Sequence, residues 1–362
     1  MRKPQTPRIE QAINQSRSDV PRTQRPPPPR QRSWLAKLLS ERSVQITLIA
    51  WLVANALILA IAQGKLPFDR PTEEGSSFLD QVVSGNLILV EVFLLMGVVY
   101  ALTRKRIVPD MAARAPERAT ALRETLLLVA YGILGQLGGF ILGQALGWHA
   151  FGFHVVGTLY GTHEMIEPAE AFVWASYNFI VYAIAPYLFF RRRYSAEALN
   201  LKSSNRRNDA LVIVVVLLIE SLIQIGLNSA ILDLSPRQLL LGAPLTFVLY
   251  FLGTVLPTMV FIYCILVPRF LKLTGSVATT VILGSLTYTL VHLFDGWTLF
   301  NSPGNAVLSV VFLLLQYFGP GMIKTFLTLR TGNAWVHVWA YHALAPHVIF
   351  DTPLIAKIFH IR

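Results

Sequence analysis

The fold is decided by long apolar runs, of which the first is "QITLIAWLVANALILAIAQ" at residues 45–63. This run contains no charged side chain, and it is long enough to cross a membrane as a helix, which takes about 20 residues. Eight further runs follow, near 85–103, 124–147, 171–190, 210–230, 245–268, 277–295, 306–328 and 334–350. The sequence therefore predicts an all-α, polytopic transmembrane helix bundle of about eight or nine spans, because only helices fit runs of this length without alternation. The last run is short and contains Pro346, which predicts a broken or partial span.

The composition agrees with a membrane protein. Of the 362 residues, 54% are hydrophobic and only 14% are charged, whereas a soluble domain carries about 25% charged residues. The single cysteine, Cys264, excludes an internal disulfide framework and a zinc cluster built from cysteines.

Positive charges follow alternate spans and predict the orientation. The triplets "RKR" at 104–106 and "RRR" at 191–193 follow the second and fourth spans, whereas loop 148–169 contains no lysine or arginine. The positive-inside rule then places the N-terminus in the cytoplasm. Nine spans would leave the C-terminus outside, and a re-entrant last segment would reverse that. We expect an integral, multi-pass protein of a bacterial cytoplasmic membrane.

The N-terminal residues have a different composition. Residues 1–33 include "PRTQRPPPPRQR", which predicts a disordered, basic, proline-rich tail. Residues 34–43 predict an interfacial amphipathic helix, since their leucines and Trp34 share one helical face. Anionic membrane lipid is the expected partner of these charges, at about 1 kcal/mol per charge, and no nucleic acid is expected.

Few ionisable side chains lie within the predicted spans, where such groups usually face a bundle interior or a wet cavity. They are Glu91, Glu220, His292, Asp295, His342 and His347. Gln224 and Asn228 follow Glu220 at intervals of four, so the three share one helical face. This polar stripe predicts either hydrogen bonding between helices or part of a functional cavity.

Two histidine segments carry a family resemblance. In "TYTLVHL", Tyr288 precedes His292 by four positions, and "GMIKTFLTLRTGNAWVHVWAYHALAP" leads through a short turn to His342. This order resembles the CPBP family, which comprises CAAX prenyl endopeptidases and bacteriocin-processing or immunity-linked membrane proteins. The resemblance covers about 185–350, which divides the body into an N-terminal transmembrane region, 44–190, and a CPBP-like region, 191–362.

The sequence departs from the motifs that the resemblance leads us to expect. The family pattern has adjacent glutamates with an arginine four residues beyond the second, and the aligned positions here hold Thr258, Met259 and Tyr263. Pro346 stands where an asparagine is expected four residues after His342. The resemblance thus implies an intramembrane endopeptidase that cuts a membrane-anchored peptide or protein, with the usual glutamate base replaced or lost.

Candidate site residues follow from this comparison. His292 and His342 would position water and stabilise the oxyanion, Glu220 is the candidate base, and Asp295 is placed to orient His292. No metal ligand set or cofactor is predicted, and a divalent metal is left open. The alternatives are a non-catalytic pseudoenzyme or scaffold and a proton-coupled transporter that uses Glu220 and His292 as a relay. No internal repeat supports transport.

The loop "GTHEMIEPAEAF" at 161–172 resembles a zinc motif only in part. His163, Glu164 and Glu167 form H-E-x-x-E, which lacks the second histidine of H-E-x-x-H. A solvated outer loop is therefore predicted, and the spacing of His149, His154 and His163 gives little support to a metal site.

Overall fold

A computed structural model describes residues 34–362, and it is all-α, with no β-strand among those residues. Residues Glu41–Arg362 form one compact unit. The short helix α1, Trp34–Leu39, belongs to a separate N-terminal unit, and the predicted tail at 1–33 lies outside the described residues. The predicted segment 34–43 therefore contains the whole of α1 and, after a turn at Ser40, the start of the next helix.

The main body contains helices of very different length. They are α2 (Arg42–Ile61), α3 (Phe78–Thr103), α4 (Met111–Arg114), α5 (Arg118–Leu146), α6 (Pro168–Arg191), α7 (Arg206–Leu227), α8 (Pro236–Thr274), α9 (Val277–Leu290), α10 (Pro303–Thr331), α11 (334–342) and α12 (345–358). Short 3₁₀ turns lie at Pro71–Glu73 and Ser229–Asp233. Wider π-helical turns occur in α6, in α8 and on both sides of the gap between α11 and α12.

Among the described residues, seven helices are long and apolar enough to cross a membrane, and α9 is a shorter apolar helix. Their outward faces are apolar, as illustrated by Leu94, which is 69% exposed, and by the exposed side chains of Leu134 and Leu222. Large apolar surfaces of this extent are stable only in contact with lipid or another protein. The predicted fold class, a polytopic helical membrane bundle, is confirmed.

Helix α8 is much longer than the predicted span at 245–268. It begins at Pro236 because Ser235 caps its first turn, accepting a hydrogen bond from the backbone N–H of Gln238, whose side chain bonds back to the backbone of Ser235. Pro244 and Pro257 remove backbone donors inside the helix, and the π-helical turns at Phe251–Val255 and Met259–Leu266 accommodate the disturbed pattern. The helix ends at Gly275, which adopts the left-handed conformation with φ 67°.

The C-terminal segment, residues 333–362, crosses the bundle in two pieces, α11 and α12. Helix α11 ends at residue 342, and Pro346 follows the break, as the restricted backbone before a proline requires. At the start of the segment, Asn333 donates to Asp209 in the first turn of α7. At its end, the carbonyl of Ile361 accepts from Gln238 in the first turn of α8. A short connection joins α7 to α8, so α8 starts on the side of the bundle where α7 ends. The start of the C-terminal segment, at Asn333, and its end, at Ile361, therefore lie on opposite sides of the bundle. The C-terminus lies on the side away from the arginine triplets at 104–106 and 191–193.

Loop 148–167 folds into the body instead of remaining in solvent throughout. Its second part carries the exposed His163, Glu164 and Glu167, in agreement with the predicted outer loop. Its first part, residues 151–158, is buried and packs against the ends of the helices. The sequence signal for this burial is the pair of phenylalanines Phe151 and Phe153 beside Val155 and Val156.

Candidate functional site

A cavity of about 530 Å³ lies among α3, α7, α10 and the C-terminal segment. Its polar lining includes Glu91, His154, Tyr288, Lys324, His342 and His347. Such a concentration of ionisable side chains inside a membrane bundle marks a functional-site candidate.

Tyr288 brings together the two histidines of the family pattern. Its ring lies 4.9 Å from that of His292 and 5.8 Å from that of His342, measured between centroids. Its hydroxyl also lies 3.4 Å from Nε2 of His342. His292 and His342, which are 50 positions apart, therefore flank one tyrosine, as the motif order leads us to expect. Of these three residues, Tyr288 and His342 line the cavity, and His292 does not.

The position aligned with the first family glutamate faces His342. The hydroxyl of Thr258 lies 3.5 Å from Nδ1 of His342, and it donates to the carbonyl of Thr254 at 2.9 Å. The position aligned with the arginine holds Tyr263, whose ring lies 4.1 Å from that of His337. Both aligned positions therefore contact histidines, but neither supplies a charge.

Asp295 holds His292 and also fixes the buried part of loop 148–167. Its Oδ2 lies 2.9 Å from Nδ1 of His292, the geometry expected of an orienting carboxylate. Its Oδ1 accepts the backbone N–H groups of Phe153 and His154, at 2.8 and 3.1 Å. The other ring nitrogen of His292, Nε2, is buried without a hydrogen-bond partner among the described residues.

Glu220 lies behind the cavity wall and not on it. It is fully buried, accepts a hydrogen bond from Gln224 at 2.6 Å, and shares a side-chain hydrogen bond with Glu91. Glu91 itself lines the cavity. Carboxyl groups that contact each other can share a proton between them, so Glu91 and Glu220 act as a pair and not as two independent groups.

Lys324 places its side-chain amine in the same cavity. Its side chain is almost completely buried, and Nζ lies 3.6 Å from the ring centroid of Tyr288. It also interacts electrostatically with Glu220. A buried ammonium group requires such partners, because an isolated charge is very costly in an apolar interior.

Sequence reasoning singled out Glu91 and His347 only as ionisable side chains within the spans, and it missed the positions of His154 and Lys324 in this cavity. For Lys324 a signal was present, since Gln316, Pro320 and Lys324 recur at intervals of four on α10, and all three line the cavity. No comparable signal existed for His154, because it comes from a loop and its neighbours are set by long-range contacts.

The histidines of loop 148–167 have separate partners. His149 bonds Glu170 through Nδ1 at 2.9 Å and Glu164 through Nε2 at 2.5 Å. The hydrogen bond to Glu170, together with that to Glu164, outweighs desolvation and raises the pKa of His149 to about 8. His163 bonds Asp69 and Glu74, and the hydrogen bond to Asp69 is the main cause that raises its pKa. His154 instead points into the buried interior.

Within the described residues, one group of side chains has the spacing of a metal-ligand set. Donor atoms of His154, His292 and Asp295 all lie within 4.8 Å of one another, and all three residues are buried. This set shares only His154 with the three loop histidines considered from sequence.

Comparison of the chain with protein-family models, with curated proteins and with solved structures found no match.

Proposed function

We propose that this protein is a membrane-embedded endopeptidase that hydrolyses a peptide bond of a membrane-anchored substrate, in the manner of the CPBP family that its C-terminal half resembles. The observation that carries this proposal is the single cavity lined by Glu91, Tyr288, Lys324 and His342. These residues provide a carboxylate base, two hydrogen-bond donors and a cation around a space large enough for an extended peptide segment. A bacterial cytoplasmic membrane is the proposed location.

The carboxyl pair replaces the missing glutamate motif. In its ionised form, Glu91 takes a proton from a water molecule as the water oxygen attacks the substrate carbonyl. Glu220 holds Glu91 in place and accepts part of its negative charge through their hydrogen bond. When the C–N bond breaks, the same proton passes from Glu91 to the leaving amine nitrogen, so that the base is regenerated.

Other groups of the lining stabilise the negative charge that develops on the carbonyl oxygen. The hydroxyl of Tyr288 and Nε2 of His342 lie 3.4 Å apart, close enough for both to donate to one oxyanion. The ammonium group of Lys324 lies over the ring of Tyr288 and adds a positive charge. Such groups act more strongly in the buried interior than they would in water.

The position of the cavity favours a substrate that arrives through the membrane. Leu87 and Ile88 of α3 and Ile223 and Leu227 of α7 form part of its lining. Leu87 and Leu227 are also highly exposed on the apolar outer surface. A peptide held by a membrane anchor could therefore enter sideways between α3 and α7.

One observation favours a non-catalytic alternative. Thr258, not a glutamate, faces His342. A threonine cannot act as a general base there, so a cavity that kept its shape and lost its base would bind a membrane partner without cutting it. This alternative predicts capture of the same substrates without hydrolysis.

The test uses the full chain in vesicles of phosphatidylethanolamine and phosphatidylglycerol, with a library of quenched fluorescent peptides fused to one hydrophobic helix. Cleavage by the wild type is followed by fluorescence and located by mass spectrometry. Glu91→Gln is nearly isosteric and should lower the rate by about 10²–10⁴-fold, the usual contribution of a general base. Glu220→Gln and His342→Ala should also lower it, while the exposed Glu117→Gln serves as the matched control.

Each outcome separates the alternatives. Full activity in Glu91→Gln and His342→Ala would refute the assignment of this cavity. Stable capture of a peptide with no cleavage would support the non-catalytic partner-binding role. Proton flux driven by a pH gradient in the same vesicles, without peptide release, would identify a transporter.

A further inference from the structure

The buried contact between loop 148–167 and the turn at residues 291–295, which follows α9, brings three polar atoms together. Nδ1 of His292 lies 2.9 Å from Oδ2 of Asp295, and Nδ1 of His154 lies 3.2 Å from the same oxygen. The two Nδ1 atoms are 3.3 Å apart. We propose that His154, His292 and Asp295 bind a divalent transition-metal ion of the zinc type at this point.

The count of hydrogen bonds around Asp295 supports a cation. A carboxylate offers about four lone-pair sites, and two are taken at Oδ1 by the backbone N–H groups of Phe153 and His154. Three further groups face Oδ2, since the hydroxyl of Tyr317 also donates to it at 2.9 Å. These five groups exceed the roughly four lone-pair sites of one carboxylate, so at least one imidazole turns a lone pair toward the cluster, where it can serve as a metal ligand.

The distances fit a small tetrahedral ion. Zinc bonds to histidine nitrogen and carboxylate oxygen measure about 2.0–2.2 Å, which places the ligand atoms of a regular tetrahedron roughly 3.3 Å apart. The separations among the three ligand atoms run from 2.9 to 3.3 Å. The hydroxyl of Tyr317, 3.3 Å from Nδ1 of His154, lies at the remaining side.

The fold presents these atoms rigidly. His292 is stacked on the ring of Tyr317 at 3.9 Å, and Asp295 is fixed by the two backbone N–H groups already described. Both histidines and the carboxylate are almost completely buried. Ligands that are held in place before the ion arrives bind it more tightly than flexible surface groups do.

An ion also has a route to the site. His154 and Tyr317 both line the cavity, whereas His292 and Asp295 lie immediately behind them. The ion would join loop 148–167 to the turn after α9 and complete one wall of the cavity. This inference does not rest on the proposed peptidase activity, because it concerns binding of the ion itself.

The experiment measures metal binding directly. The protein is purified without a histidine tag, stripped with chelator and titrated with Co²⁺, whose tetrahedral complexes absorb strongly in visible light. The expected result is saturable uptake of a single Co²⁺ with a tetrahedral spectrum, its displacement by Zn²⁺, and a higher melting temperature in Zn²⁺. Asp295→Asn and His154→Ala should lose the spectrum, whereas His163→Ala, which removes an exposed loop histidine near two carboxylates, should retain it.

Two results would overturn the proposal. One is a wild-type protein that gives neither a tetrahedral Co²⁺ spectrum nor a Zn²⁺-dependent rise in melting temperature. The other is a spectrum that persists in Asp295→Asn and His154→Ala. If these variants do not fold, X-ray absorption of the wild-type Zn²⁺ form decides, since a coordination shell without two imidazoles would refute the site.

Discussion

Gly152 lies against Asp295 so closely that a Cβ atom placed on it would be 2.6 Å from Oδ1. The same Cβ would also be 2.6 Å from the carbonyl oxygen of Phe294. Only a residue without a side chain allows loop 148–167 to approach the turn after α9. This approach lets Phe153 and His154 donate their backbone N–H groups to Asp295.

The first prediction concerns this approach. Gly152→Ala should displace the loop, break the hydrogen bonds to Asp295 and lower the free energy of unfolding by about 1–3 kcal/mol, the usual cost of overpacking. Denaturation in mild detergent measures the change. Gly97→Ala is the control, because a Cβ there meets no atom within 4 Å. Equal stability of the two variants would show that the loop does not depend on this contact.

The second prediction concerns a buried ion pair between α5 and α8. Glu124 accepts two hydrogen bonds from Arg269, at 2.6 and 2.9 Å, and a third from the hydroxyl of Tyr194 at 2.7 Å. Glu124→Ala should cost about 3–5 kcal/mol, because it leaves a buried guanidinium without its counter-ion. The measurement is again the unfolding free energy in detergent.

A double variant provides the control for this ion pair. Glu124→Ala combined with Arg269→Leu removes both charges and should recover part of the stability lost in Glu124→Ala alone. A double variant that is less stable than the single one would mean that the packing of Arg269 against Phe190 and Tyr194 matters more than its charge.

The third prediction is a pH dependence of the exposed part of loop 148–167. The pKa of His149 is raised to about 8, mainly by its hydrogen bond to Glu170, from an ordinary value of about 6.5. The folded state therefore binds this proton more tightly than the unfolded state. The stabilisation is complete below about pH 6.5 and is lost as the pH rises through about 8.

Hydrogen exchange of residues 148–167 between pH 6 and 9 tests this dependence after correction for the intrinsic exchange rate. His149→Gln should exchange faster than the wild type at pH 6, and the difference should vanish above pH 8. His360→Gln, at an exposed site near the C-terminus, is the matched control. A difference that remains constant across the range would exclude protonation of His149 as its cause.

The sequence was sufficient for the fold class because the signal is local. A run such as 45–63 must satisfy its own backbone hydrogen bonds in an apolar medium, and a helix is the only open-ended structure that does so. The structure accordingly has long apolar helices at the predicted places. Boundaries were less predictable, since the start of α8 depends on the cap at Ser235 and not on hydropathy.

Tyr288 lies beside both His292 and His342 in the structure, while the catalytic roles expected of the two histidines stay a prediction. Tyr288 and His292 are four residues apart, so local geometry sets their relation, and the family resemblance supplied the link to His342. The orienting contact between Asp295 and His292 was predictable for the same reason, as the two lie three residues apart and are 2.9 Å from each other in the structure.

The sequence by itself thus determined the membrane-spanning helices and the local pairs within them. Only the tertiary structure decided that Glu91, not Glu220, lines the cavity, and that His154 joins Asp295 from 141 positions away. These contacts arise when separate helices and an inward-folded loop pack together, and nothing in the spacing of the residues encodes that packing. The physical reason is that hydropathy fixes the surroundings of each segment, whereas shape and hydrogen-bond complementarity fix the neighbours of each side chain.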